Sequence, residues 1–63
     1  MKDCFQVTAI YQNSEIGYGE GESLNYAIDD CIESIPSIFE GAKITLSILE
    51  NDVIRQVKNW PIF

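Results

Sequence analysis

One amphipathic stretch gives the clearest indication of the fold: residues 23–36, with the sequence SLNYAIDDCIESIP. Its apolar residues recur at the spacing of a single buried helical stripe. They are Leu24, Ala27, Ile28, Cys31, Ile32 and Ile35. Ser23 is the predicted N-cap, because its hydroxyl oxygen can accept a hydrogen bond from an amide of the first turn. Pro36 disfavours helical backbone at the residue before it, so the helix is predicted to end at Ile35.

Segments that alternate with a period of two flank this helix on both sides, and they predict strands over residues 4–12, 16–20, 42–48 and 53–60. The order ββαββ predicts a two-layer α+β fold, in which a four-stranded antiparallel sheet is covered on one face by a single helix. The register of the last strand stays open, because its odd-numbered and its even-numbered residues both include apolar side chains.

The second predicted strand carries glycine at positions 17, 19 and 21, all of the same parity. One face of this strand therefore has no side chains. Such a face is typical of an edge strand, a bulge or the close approach of another surface.

The chain has 63 residues, of which 46% are hydrophobic, and this predicts a single folded domain over 1–63. We expect a cytoplasmic protein without a membrane-spanning segment, with Cys4 and Cys31 as reduced, packing thiols. In the connection after the helix, Ile38 and Phe39 are expected to fold back onto the core. The apolar tail at 60–63 either lies against the sheet or forms an exposed patch.

Histidine is absent from the sequence, which removes the commonest general base and metal ligand. Paired carboxylates occur at Asp29-Asp30 and at Glu20 and Glu22, but no glycine-rich phosphate loop accompanies them. We therefore expect a protein that is not an enzyme and has no catalytic residue, no cofactor and no bound metal.

Charge is distributed unevenly along the chain. Ten acidic and four basic residues give a net charge of −6, which disfavours direct binding to nucleic acid. No lysine or arginine lies between Asp3 and Ala42, although most of the acidic residues do. Asp29, Asp30 and Glu33 lie off the apolar stripe near the C-terminal end of the helix, where the helix dipole disfavours negative charge by ~0.3–1 kcal/mol each. These acids form either a binding face or a face that only maintains solubility.

The binding interpretation predicts a set of partner-contacting residues, in which two tyrosines lie among carboxylates as in protein–protein hot spots. The set is Tyr18, Glu20, Glu22, Tyr26, Asp29, Asp30 and Glu33. One or both tyrosines could instead lean back over the sheet. The predicted function is a small acidic inhibitor, a nucleic-acid mimic that docks its helix on a basic surface of a host protein. The alternative is a structural protein that self-associates, for example as a homodimer, through its glycine-rich strand and apolar C-terminus.

Several short motifs carry a resemblance to small phage anti-CRISPR proteins. They are residues 23–27 (SLNYA), 39–44 (FEGAKI), 50–51 (EN) and 57–60 (VKNW). The layout also resembles a phage inhibitor of bacterial RNA polymerase, which pairs a short sheet with one acidic helix. These resemblances imply a protein that binds a host machine and blocks a nucleic-acid path. Gly21-Glu22-Ser23 is similar to the helix start of acidic antitoxins. This chain departs from the anti-CRISPR layout because its exposed helix is acidic, so no contact residue is transferred from that family.

Overall fold

The computed structural model describes residues 4–62, which form four strands and one α-helix. In chain order these are β1 (Phe5–Tyr11), β2 (Ser14–Gly21), α1 (Leu24–Ser34), a short 3₁₀ helix (Ser37–Phe39), β3 (Lys43–Glu50) and β4 (Val53–Pro61). The α+β class and the order ββαββ are confirmed. No helix within residues 4–62 is long and apolar enough to cross a membrane.

The four strands form one antiparallel sheet in the order β2-β1-β3-β4. Two tight hairpins build it, since β1–β2 and β3–β4 are each joined by a two-residue turn in which both residues have positive φ. The turn residues are Gln12, Asn13, Asn51 and Asp52. Turns of this type match the right-handed twist of the strands they connect. The sheet therefore has two edges, β2 on one side and β4 on the other.

The helix begins and ends where the sequence predicts. The Ser23 hydroxyl accepts a hydrogen bond from the amide of Tyr26, at 3.2 Å. At the other end, Ile35 is the C-cap and has extended backbone. Of the apolar stripe, Ala27, Cys31 and Ile35 are buried.

The core lies between α1 and the facing side of the sheet. Val7 and Ala9 of β1 are opposite Ile48 and Leu46 of β3, and all four are buried. Between β3 and β4, Leu46 is opposite Val57. This pairing resolves the register of β4, because it places the odd-numbered residues 53–57 on the core side of the sheet.

Helix α1 packs on β2 and β1 and leaves the β4 edge of the sheet uncovered. The close approach to β2 depends on its glycines. A Cβ atom at Gly19 would lie 2.6 Å from the carbonyl oxygen of Ala27 and 2.7 Å from the Cα atom of Cys31. The bare face of the glycine-rich strand is therefore filled by the chain's own helix.

Two side chains depart from the sequence predictions. Ile38 is 81% exposed, so the prediction that it folds onto the core is wrong, whereas Phe39 packs edge-on against Tyr11 with ring centroids 5.5 Å apart. Within the three-residue 3₁₀ helix, neighbouring side chains point in different directions, and only one of the two reaches the sheet. Both cysteines are free, but Cys4 is exposed and only Cys31 packs in the core.

The C-terminal segment lies against the sheet. Ile62 is buried, and its amide donates to the Ala42 carbonyl oxygen at 3.0 Å. In return, the Gly41 amide donates to the Ile62 carbonyl oxygen at 2.8 Å. Trp60 is half-buried against the core. The tucked form of the predicted tail is confirmed up to Ile62, and Phe63 lies outside the described residues.

Candidate partner-binding surface

Four of the predicted partner-binding residues share one shallow depression on α1. We call Tyr26, Asp29, Asp30 and Glu33 the acidic helix face; together they line a depression of about 210 Å³. All four side chains are exposed. They gather on one side because positions 26, 29, 30 and 33 follow the helical period on the side away from the buried stripe. The sequence prediction that Asp29, Asp30 and Glu33 face solvent is therefore confirmed, and of the two orientations left open for Tyr26 the structure shows the exposed one.

Tyr26 connects this face to a second depression. The tyrosine is 69% exposed, and it also lines a cavity of about 460 Å³ with Gly21, Glu22 and Ser23. Tyr26 therefore lines both depressions, of which the one shared with Asp29, Asp30 and Glu33 is acidic. An exposed ring beside several carboxylates is suited to a long cationic side chain, whose aliphatic part packs on the ring while its charged end reaches a carboxylate.

Tyr18 and Glu20 lie on a different surface. Both are in β2, where they are opposite Thr8 and Gln6, and their side chains point away from the core side of the sheet. The Tyr18 hydroxyl donates a hydrogen bond to a Glu20 carboxylate oxygen at 3.0 Å. Partial desolvation, followed by this hydrogen bond and the Glu20 charge, raises the pKa of Tyr18 above its ordinary value. The seven predicted residues therefore divide into five beside the helix and two on the open face of the sheet.

The two groups meet at the outer edge of β2, which α1 covers with side-chain hydrogen bonds. Asp30 accepts a hydrogen bond from the Glu20 amide at 3.1 Å. One helical turn later, Ser34 accepts from the Tyr18 amide at 2.8 Å and donates to the Cys31 carbonyl oxygen at 2.7 Å. Sequence reasoning missed this role of Ser34 and the structural role of Asp30, because an edge contact becomes visible only once the helix is placed along β2.

Within residues 4–62, no base of the protein neutralises the acidic helix face. Over residues 4–62, Arg55 and Glu50 make an ion pair at 3.3 Å at the opposite edge of the sheet, and neither Asp29, Asp30 nor Glu33 pairs with a lysine or arginine. The bases of this part of the chain lie on β3 and β4, whereas the helix carries three acids and no base. The charge of residues 4–62 is therefore separated, with the negative side at α1 and β2.

The chemistry of this surface is that of a cation acceptor. Ionised carboxylates only accept hydrogen bonds, and their strongest partners are guanidinium and ammonium groups. Within the described residues, no group of three or more histidine, cysteine, aspartate or glutamate side chains is arranged to hold a metal ion.

Comparison with known proteins finds no match to a protein family, to a curated protein or to a solved structure. The resemblances to phage inhibitors noted above therefore stay predictions.

Proposed function

We propose that this protein is a small acidic inhibitor that docks its acidic helix face on a basic surface of another protein, of the kind that binds nucleic acid. One observation carries the proposal. Three carboxylates and one exposed tyrosine share a single depression, and no lysine or arginine of residues 4–62 pairs with those carboxylates. A face that served only solubility would need neither the tyrosine nor the clustering.

The geometry indicates how such a surface would recognise its partner. An arginine side chain can stack on the exposed Tyr26 ring and direct its guanidinium toward Asp29 or Glu33. Asp30 is partly committed, because one of its oxygens already accepts the Glu20 amide. Recognition therefore falls mainly on Tyr26, Asp29 and Glu33, with Asp30 adding charge.

The separation of charge supports the same proposal. Acids gathered on one side of a small molecule steer it toward a positive surface and orient it before contact. Spaced carboxylates on a rigid helix present negative charge as a phosphate backbone does. A protein whose groove binds nucleic acid would meet both the charge and an aromatic anchor.

Self-association through the glycine-rich strand and the apolar C-terminus is the alternative, and it has less support. The glycine face of β2 is filled by α1, and Ile62 is buried within the chain. In the part of the chain that the structure describes, the glycine face of β2 and Ile62 are therefore not available without rearrangement.

The test compares two triple variants with the same net charge. Asp29→Asn/Asp30→Asn/Glu33→Gln removes the charges of the acidic helix face, and the side-chain carboxamide oxygen at position 30 can still accept the hydrogen bond from the Glu20 backbone amide. Glu15→Gln/Glu40→Gln/Asp52→Asn removes three exposed charges elsewhere. Each protein is immobilised and used to capture binding proteins from a bacterial lysate, at low and at high salt.

We expect the parent and the second triple variant to retain the same captured protein at low salt and to lose it at high salt. The first triple variant should capture it at least tenfold less well, because three close charge contacts are lost. Equal capture by both triple variants would show that net charge alone matters and would overturn the proposal.

A further inference from the structure

The two edges of the sheet are protected to different degrees. At the β2 edge, side chains of α1 accept hydrogen bonds from the outward amides of Tyr18 and Glu20. At the β4 edge, no side-chain hydrogen bond to the backbone of residues 53–62 is present. Unpaired strand edges are templates for pairing with another strand.

The outward-facing backbone groups of β4 can be identified from its turn. In a hairpin closed by a two-residue turn, the residues flanking the turn exchange hydrogen bonds, and such pairs then alternate along the strands. Here the flanking residues are Glu50 and Val53. Residues 53, 55 and 57 therefore direct their backbone groups to β3, whereas Ile54, Gln56 and Lys58 direct theirs outward from the sheet.

Apolar side chains accompany this open edge. Val53 is 58% exposed, Ile54 is 65% exposed and Val57 is 37% exposed. The valines lie on the core side of the sheet, in the part that α1 does not cover, and Ile54 lies on the other face. A further strand beside β4 would cover apolar surface on both faces.

We propose that two copies of this chain pair through antiparallel β4 strands to form a two-fold symmetric dimer with a continuous eight-stranded sheet. Charge favours a second copy at this edge. Residues 43–61 contain three bases and two acids, whereas residues 4–42 contain acids and no base. Copies that meet at β4 therefore avoid the repulsion that any contact between their acidic sides would create.

The protected β2 edge limits how copies can assemble. A head-to-tail chain would need the β4 edge of one copy to pair with the β2 edge of the next, where the outward amides of Tyr18 and Glu20 are already bonded. Pairing of β4 with β4 uses the same edge on both copies, so it closes at two. Both acidic helix faces then lie at the far ends of the sheet, open to partners.

The register follows from charge and from the outward groups. With Gln56 on the two-fold axis, Gln56 faces Gln56, Ile54 faces Lys58 and Arg55 faces Val57 of the second copy. A shift by one hydrogen-bonded pair toward the turn would place Arg55 opposite Arg55, and like charges directly opposite one another are destabilising. The bulge at Asn59, where φ is 62°, bounds the flat part of β4 at its other end.

The first test is sedimentation of the full chain over a range of concentrations, in reducing agent so that exposed Cys4 cannot form a disulfide. We expect twice the mass of the 7.1 kDa chain at high concentration. Gln56→Pro removes an outward amide and no bond to β3, so it should raise the dimer dissociation constant at least a hundredfold. Gln56→Thr keeps the amide and should stay within threefold of the parent. A parent that is monomeric at every concentration up to 1 mM would overturn the proposal.

A charge swap tests the register and does not rely on proline. Ile54→Lys places a lysine opposite Lys58 of the second copy and should raise the dissociation constant at least tenfold. The double variant Ile54→Lys/Lys58→Glu should restore dimerisation, because the facing charges then attract. Unchanged dimerisation in the single variant would overturn the proposed interface. High salt should strengthen this dimer, because it screens the repulsion between two acidic chains. It should weaken docking of the acidic helix face, because it screens the attraction to a basic partner. The failure of one proposal is therefore distinguishable from the failure of the other.

Discussion

The close packing of α1 on β2 positions the acidic helix face, and Gly19→Ala tests that packing. The added Cβ atom would lie 2.6 Å from the Ala27 carbonyl oxygen, whereas ordinary contact begins at 3.4 Å. Because the obstructing atoms belong to the helix backbone, no side-chain rotation can relieve the clash. The Cys31 amide nitrogen would lie closer still, so the helix must retreat by more than about 0.8 Å, and the packing of Ala27 and Cys31 on the sheet is lost with it.

The expected cost is large for a chain of this size. Overpacking typically costs about 1–3 kcal/mol, and we expect the upper end of that range for Gly19→Ala. The total stability of a domain of this length is on the order of 3–9 kcal/mol. Urea unfolding followed by circular dichroism measures the loss as a lower midpoint at an unchanged slope.

Gly17→Ala is the matched control, because it adds the same methyl group two residues earlier. There the two nearest atoms are the Ile35 Cγ1 atom at 2.6 Å and the Ser34 hydroxyl oxygen at 2.9 Å, both in side chains, and the nearest backbone atom is the Cys31 carbonyl oxygen at 3.1 Å, a contact that a shift of a few tenths of an ångström relieves. We expect a loss of about 1 kcal/mol at this position. A Gly19→Ala protein as stable as the Gly17→Ala protein would refute the reasoning that backbone contact fixes the helix on β2.

Three further predictions concern the helix. Ser34→Ala leaves the Tyr18 amide without its acceptor, so it should lower the free energy of unfolding in urea by about 1 kcal/mol. Hydrogen exchange at the Tyr18 amide should become faster, and unchanged exchange would contradict the edge contact. Asp29→Asn or Glu33→Gln removes a like-charge pair and should raise stability by about 0.2–0.5 kcal/mol, and a loss of stability would show that these acids hold the fold. Burial raises the pKa of the Cys31 thiol from 9.0 to about 11, so between these pH values the unfolded state loses this proton while the folded state keeps it. The free energy of unfolding should therefore fall as the pH rises from 9 to 11. A Cys31→Ala protein with the same decline would assign the effect to another group.

Local patterns were sufficient to predict the order of the elements. The apolar stripe of residues 24–35 has one period and the strands have another, and Ser23 and Pro36 mark the ends of the helix. The glycine parity at 17, 19 and 21 predicted an edge strand, a bulge or a close approach, and in the structure β2 is an edge strand whose glycine face is approached by α1. These features were predictable because each depends on residues close together in the sequence.

The edges of the sheet depend on distant residues and were not predictable in the same way. Strand order places β2 and β4 outermost, and only then do Ser34 and Asp30 become edge contacts and Val53 and Ile54 become exposed. The candidate site was partly predictable for the same reason. Helical period alone gathers residues 26–33 on one side, and the glycine parity places Tyr18 and Glu20 together on one face of β2, whereas only the placement of α1 shows that this face is turned away from the helix.

Docking through the acidic helix face requires that a cationic partner bind at one defined place on this molecule. A direct measurement is an NMR titration of the ¹⁵N-labelled chain with a nine-residue oligo-arginine peptide, followed at each backbone amide. We expect shifts concentrated at Tyr26, Asp29, Asp30 and Glu33, together with the Glu20 amide that is bonded to Asp30. Shifts of equal size around Glu15, Glu40 and the other exposed acids would contradict it, since they would show attraction to the net charge rather than binding at a surface.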